Sequence, residues 1–347
     1  MVSVTSAYIS SIQAKLSNPE VCMKILAVDD EPFILELLTM MAARAGFTDI
    51  STALSGEIAL DMLNAGDIVF DCLLLDISMP GMDGIELCGL ARATPGYNKT
   101  PIIMLTAMAE KDYIDRAFSA GATDYANKPF DIVELHARLR MAEELVTARQ
   151  MATSGNTDTD GSQFDDAHRH AFDISDEIGI EGVKNLIKYN ALGNYLTQLS
   201  NAGIAGSQVR AIKIDRIETI YARASDEEFL YAISEAADAI SDALSVHGYM
   251  MAYAGNGTFV VVSNKATLEP SSGLETEIQN LLDEKDSEYD NGDPLDIEIS
   301  IGNPLRPSTS KTQRIRKTFG RAIARAENRV LRKRAAPRPP NIRLVGG

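Results

Sequence analysis

Between positions 23 and 150 short runs of consecutive apolar residues alternate with stretches in which apolar positions recur every three or four residues. The continuous runs are Ile25 to Val28, Cys72 to Leu75 and Ile102 to Leu105, the last ending on Thr106, and the mixed stretches Ile50 to Ala53 and Gly121 to Ala126 read as two further strands. Runs of this length bounded by turn residues predict buried strands of a parallel sheet. The periodic stretches predict helices. Pro32 opens one at a position where its missing N–H costs little, with Ile34, Leu37, Leu38 and Met41 on its apolar face and Gly46 past its end. Ser55 is placed to cap a second, with further helices over 85–92, 109–120 and from 131 to about 150. Five strand–helix units predict an α/β fold, a doubly wound five-stranded parallel sheet with helices on both faces.

The periodicity stops at residues 151–166, where small, polar and acidic residues dominate and predict a flexible linker. His168 and His170 follow, an i, i+2 pair whose default reading is solvated side chains. From about residue 178 a second pattern begins. Leu186 to Leu199 reads as helix, Gln208 to Asp215 as strand, and Glu227 to Leu244 as a strongly periodic helix. Tyr249 to Tyr253 and Thr258 to Val262 read as strands flanking Gly255-Asn256-Gly257, a strong hairpin signal. A helix at 274–282, a strand at 297–301 and a helix at 315–331 complete it. This predicts a second α/β domain with a mainly antiparallel sheet. The expected divisions are an N-terminal extension over 1–22, a first domain over 23–145, a helix extension and linker over 146–177, a second domain over 178–334, and a basic, proline-rich tail over 335–347.

Composition narrows the setting. No run of 18 apolar residues occurs among the 347, so no membrane span is expected. Residues 1–22 lack the apolar core of a signal peptide. Three cysteines, Cys22, Cys72 and Cys88, have no metal or redox spacing and fit a reducing, cytoplasmic setting. The net charge of −16 is unevenly spread. From Asn303 onward 13 basic residues face the single acid Glu327, and the rest carries 20 basic against 48 acidic residues, a balance of −28. So acidic a body argues against broad nucleic-acid binding. On the last helix Arg314, Arg316, Lys317, Arg321, Arg325, Arg329, Arg332, Lys333 and Arg334 surround an apolar stripe. A solvated face is the default reading, and docking of an acidic partner the alternative.

Chemistry concentrates where the first-domain strands end. Asp29-Asp30-Glu31 follows the first, and Asp76 ends the third. If both strands are central and parallel, Asp29, Asp30 and Asp76 converge at the edge where open α/β sheets bind ligands. Like charges ~4 Å apart repel by about 4 kcal/mol at an effective dielectric near 20. Oxygen-only ligands at an open mouth favour Mg²⁺ as the neutralising ion. Thr106 ends the fourth strand opposite Asp76, Lys128 lies in the turn after the fifth, and Tyr125 reads as an amphipathic ring near the surface.

Acid pair, Asp76, Thr106 and Lys128 fall in the order and spacing of a two-component receiver, so residues 23–145 resemble a response-regulator (CheY-like, flavodoxin-fold) domain. The resemblance implies that Asp76 accepts a phosphoryl group from a sensor histidine kinase or phosphotransfer protein. It implies that Asp30 and Asp76 bind Mg²⁺, with Asp29 acting through water and the Ser78 carbonyl as a further ligand. Thr106 and Tyr125 would switch, the Lys128–Pro129 bond would be cis, and phosphorylation would drive homodimerisation through the face of the fourth and fifth strands.

The second domain's layout resembles the GGDEF domain of diguanylate cyclases, with departures at the reactive positions. Aligned on Phe259, the signature reads Gly255-Asn256-Gly257-Thr258-Phe259, so its acidic positions hold Gly257 and Thr258. Lys213 stands where the family's first metal-binding Asp is expected, while Asp215 matches the next acidic position. Replacing a metal carboxylate by Lys inverts the charge where Mg²⁺–triphosphate must bind. The expectation is a cytoplasmic phosphorelay response regulator whose second domain is catalytically inactive and acts by contact with a downstream protein. The alternatives are a GTP- or cyclic di-GMP-binding effector and an active diguanylate cyclase.

Overall fold

The computed structural model describes residues 23–107, 111–154, 170–180, 182–246, 248–264, 267–308 and 314–335. The 1–22 extension, residues 155–166 of the linker expected at 151–166, His168 and the tail from 336 lie outside them; residues 151–154 of that expected linker instead continue the helix that starts at Ile132. By its internal contacts the chain forms two compact units. The first takes in described residues 23–107 and 126–154, the second 111–125 and 170–335.

Strands β1 (Ile25–Val28), β2 (Ile50–Ala53), β3 (Cys72–Asp76), β4 (Ile102–Thr106) and β5 (Asp124–Asn127) form a five-stranded sheet in the order β2-β1-β3-β4-β5. Adjacent pairs from β2 to β4 run parallel. Every residue of β1, β3 and β4 is buried, which is why these strands read as unbroken apolar runs. Helix α1 (Pro32–Arg44) starts at its proline and is followed by Gly46 at φ 97°. With α5 (Ile132–Ser154) it covers one sheet face, where Leu38, Met41, Leu135 and Leu139 meet Ile25, Leu74 and Ile103. The Ser55 hydroxyl accepts from Ile58 N at the start of α2 (Gly56–Ala65).

Helix α3 (Gly84–Ala93) begins directly against the end of β3. Its N-cap Asp83 accepts from Glu86 N, and Gly84 N donates to Ile77 O. A Cβ at Gly84 would stand 1.9 Å from the Asp76 carbonyl oxygen. Since that contact is backbone, Gly84→Ala is expected to displace the strand end and cost on the order of 3 kcal/mol, read by urea unfolding of the full chain.

β5 begins three residues later than the pattern suggested. Residues 117–122 form a Schellman turn instead, with Ala122 N bonding Ala117 O and Gly121 N bonding Phe118 O, closing α4 (Lys111–Ser119). The described residues 111–125, expected inside a continuous 23–145 block, group with the second unit. There α4 packs on α6 (Tyr189–Gln198). Phe118 meets the Tyr195 ring edge-on at 5.6 Å, and Lys111 Nζ lies 3.1 Å from the Tyr195 hydroxyl. Asn194 Nδ2 donates to Thr123 O, and Gln198 Nε2 to Tyr125 O.

The second unit's sheet is antiparallel throughout, in the order β7-β8-β6-β9, formed by β6 (Ser207–Ile214), β7 (Tyr249–Tyr253), β8 (Thr258–Asn264) and β9 (Ile299–Ile301). Two short helices escape the periodicity, α7 (Asn201–Gly206) and α8 (Ile217–Arg223). Helix α9 (Asp226–Leu244) opens with a reciprocal capping box between Ser225 and Glu228 and supplies Phe229, Ile233, Ala237 and Ile240 to the core. α6 starts later than Leu186 because that residue bridges Met251 at the edge of β7. Helices α10 (Ser272–Lys285) and α11 (Arg314–Ala335) complete the unit.

The basic face of α11 is not simply solvated. Arg314 is buried and donates to Ser308 O, while Arg325 donates to Asn303 O and Pro304 O. Arg329 grips Glu275, and Lys333 reaches Ile299 O. Arg316, Lys317, Arg321, Arg332 and Arg334 remain exposed. No helix among the described residues is long and apolar enough to cross a membrane.

Candidate functional site

Because β1 and β3 are neighbours in register, Val28 opposite Leu75, the residues that follow them emerge side by side. Asp29, Asp30 and Asp76 offer carboxylate oxygens within 4.8 Å of one another, the one acidic group of this kind among the described residues. Asp29 and Asp76 are buried. Asp29 Oδ1 accepts from Glu31 N, and Asp76 Oδ2 accepts from Ser78 N.

Lys128 closes the cluster. Its Nζ lies 2.6 Å from Asp29 Oδ2 and 2.7 Å from Asp76 Oδ1. Its own backbone N–H donates to Thr106 O, and its bond to Pro129 is cis. Burial pushes the Asp76 carboxyl up, against the pull of Lys128, and Asp29 adds to the rise. Burial alone would lower Lys128, but hydrogen bonds to Asp29 and Asp76 outweigh it and raise its pKa. Three carboxylates and one ammonium leave a formal charge near −2, which suits a divalent cation bound by oxygen. Asp29, Asp30 and Asp76 would hold such an ion, with the Ser78 carbonyl nearby in sequence.

Thr106 stands at the same sheet edge. Asp76 is in register with Leu105, so Thr106 lies one position beyond it, and it is fully buried. Tyr125 corrects the expectation of a ring near the surface: it is fully buried, in the segment that α6 packs against. Two supporting residues escaped the sequence. Gly84 lets α3 meet the Asp76 carbonyl, and Glu57 in the first turn of α2 accepts from Met82 N, fixing the loop after β3. Only the acid's first-turn position hinted at a role for Glu57.

In the second unit Lys213 Nζ donates to Asn256 O at the hairpin tip. The ammonium is therefore engaged by main chain. Asp215 sits apart from it in bonding, with Oδ2 accepting from Ser300 Oγ and 3.8 Å from Lys333 Nζ. Its carboxyl is pushed up by burial, partly offset by Ser300 and Lys333. The turn is packed on both sides. A Cβ on Gly255 would meet Ser175 O at 2.2 Å, and one on Gly257, at φ 63°, would meet Ile217 Cγ1 at 2.7 Å. Asn256 N donates to Ile174 O, Thr258 N to Gly255 O, and Phe259 is fully buried. An acidic side chain at 257 has no room in this packing.

A family model described as the response regulator receiver domain matches residues 25–140. The chemotaxis protein CheY of Pseudomonas aeruginosa is 38% identical over 124 residues, 36% of this chain and 98% of that protein. The DNA-binding response regulator MtrA of Mycolicibacterium smegmatis is 38% identical over 117 residues, 34% of this chain and 49% of that protein, so the chain spans about half of that relative's length. Among solved structures, CheY4 of Vibrio cholerae is 32% identical over 35% of this chain and 99% of that one, with a TM-score of 0.33. Given a family match centred on the Asp29–Asp76–Lys128 cluster and a relative aligned over nearly its whole length, the chain belongs to the response regulator receiver family.

Proposed function

We propose that the protein is a phosphorelay response regulator that accepts a phosphoryl group on Asp76 and signals through a catalytically inactive, GGDEF-like second unit. The observation that carries this is Lys128 Nζ placed between Asp29 and Asp76 beside a three-carboxylate cluster. A carboxylate oxygen of Asp76 attacks the phosphorus of a phosphohistidine on a sensor kinase or phosphotransfer protein. The N–P bond breaks, its electrons go to the imidazole, and an acyl phosphate forms. Lys128 supplies positive charge to the new phosphoryl oxygens, and the Thr106 hydroxyl, at the end of β4, is the neighbour that hydrogen-bonds one of them. A bound Mg²⁺ would shield the incoming charge from the acids.

The signal leaves through the segment that contains α4 and runs to Tyr125. Its described residues begin at Lys111, end three before Lys128, and group by their contacts with the second unit. A shift of Thr106 and Lys128 about the phosphoryl group pulls on both ends of a segment held by Asn194, Tyr195 and Gln198. Homodimerisation through this face would then require α6 to release α4.

The GGDEF-like reading of the second unit rests on its strand–helix order and its antiparallel sheet. Its inactivity rests on Lys213, which places an ammonium where a metal carboxylate is needed, and on a hairpin that carries no acid and is closely packed at Gly257. Output is by contact with a downstream protein. Acetyl phosphate with Mg²⁺ is expected to add one phosphoryl group to the full chain, seen by intact mass. The phosphorylated protein incubated with GTP is expected to yield no cyclic dinucleotide by chromatography; product formation would overturn the inactive reading.

A further inference from the structure

Between the start of α10 and the outer face of α11 lies a cleft of about 660 Å³, apart from both the receiver cluster and the hairpin. That volume falls in the range of roughly 300–1,000 Å³ typical of small-molecule sites. One wall carries Arg325, Arg329 and Arg332, spaced i, i+4 and i+7 so that all three point from one side of the helix. The other wall is polar but uncharged, with Ser271, Ser272 and Asn303, except for Glu275.

Glu275 is already neutralised. It accepts Ile301 N on one oxygen, is gripped by the Arg329 guanidinium at 2.7 Å, and has Lys333 Nζ at 3.6 Å. Although burial opposes it, these partners hold its carboxyl below the usual range. The acid therefore orients Arg329 and does not oppose an anion. Arg325 is fixed by two carbonyls, Asn303 O and Pro304 O. Arg332 is exposed at the rim and makes no hydrogen bond or ion pair with the described residues. Three guanidinium groups against one satisfied carboxylate leave the cleft at about +2 in a protein of net charge −16. Two of the three are held by the fold before any ligand arrives.

We propose that this cleft binds a phosphate-bearing small molecule of mononucleotide size, with Arg332 closing on the phosphate beside Arg325 and Arg329. Guanidinium forks suit phosphate oxygens better than single ammonium charges do, and the prepositioned pair lowers the ordering cost of binding. The cleft volume exceeds what inorganic phosphate needs and accommodates an attached sugar or base. An acidic peptide would present its charge singly along an extended chain, whereas this cleft gathers its positive groups along two turns of one helix.

The test is calorimetry of the full-length protein in metal-free, low-salt buffer with GMP and pyrophosphate as probes. Saturable 1:1 binding of either probe is expected, weakened at least tenfold by Arg332→Glu and left unchanged by Arg316→Glu, an exposed change on the same helix outside the cleft. Arg332 supports no fold contact, so the variant is expected to keep the wild-type circular dichroism spectrum. No saturable binding by either probe, or equal affinity in the wild type and Arg332→Glu, would overturn the proposal. So would binding of poly-glutamate without binding of either probe.

Discussion

Asp76→Asn leaves the full chain unlabelled by acetyl phosphate in Mg²⁺ buffer, with modification reduced to background. The substitution preserves shape and removes the nucleophile, so the effect is total on the chemistry and small on the fold. The Lys128–Asp29 pair survives, because Lys128 Nζ contacts Asp29 Oδ2 directly at 2.6 Å. One of two buried like charges also disappears. The variant is therefore expected to be at least as stable as the wild type without metal, as measured by urea midpoint. A variant that still gains one phosphoryl group by intact mass would move the acceptor elsewhere and defeat the assignment.

The second large effect follows from the opposite partner. Lys128→Met leaves Asp29 and Asp76 buried side by side without their shared cation. Removing one member of a buried ionic cluster strands the remaining charges. A loss on the order of 3 kcal/mol at neutral pH is expected in metal-free buffer. Millimolar Mg²⁺ should recover part of this, because a cation held by the acids replaces some of the missing charge. The sign with pH is also defined. Lys128 has a raised folded-state pKa, so its contribution is present below the unfolded value and fades as pH rises through the folded one. For Asp76, whose folded-state pKa is also raised, protonation of the native carboxyl begins at higher pH than in the unfolded chain. The destabilisation caused by Lys128→Met should therefore shrink in acid, as the stranded Asp76 carboxylate takes up a proton. A variant that unfolds at the wild-type urea midpoint at neutral pH would show that the pair contributes nothing.

How far these features could be read beforehand depends on whether local pattern determines them. Asp29 and Asp76 were legible because each directly follows an apolar run, Lys128 because it lies in the turn after the fifth strand, and parallel pairing then brings these strand ends together. The Asn256-Gly257 hairpin was legible because its turn chemistry is local. Tyr125 was not: its ring is fully buried and its carbonyl accepts from Gln198, 73 residues away in sequence. The roles of Arg325, Arg329 and Lys333 were hidden for the same reason, since a basic helix looks the same in sequence whether its cations meet water, carbonyls or Glu275. The short helices α7 and α8 span six and seven residues, too few to establish a period. Lys213 could be seen to break a charge pattern, but not to have found the Asn256 carbonyl as its partner.

The allegiance of residues 111–125 to the second unit bears on how this chain could be rearranged by recombination. Many signalling proteins are imagined as interchangeable cassettes joined by a tether. Severed near residue 155, this one would leave the Phe118 ring without Tyr195 and the Thr123 carbonyl without Asn194. Helix α4 would lose the surface it packs on. A transplanted front half would thus inherit its reactive carboxylate with an unfinished flank, and successful grafts should need to bring α6 along or refashion the exposed surface it leaves behind.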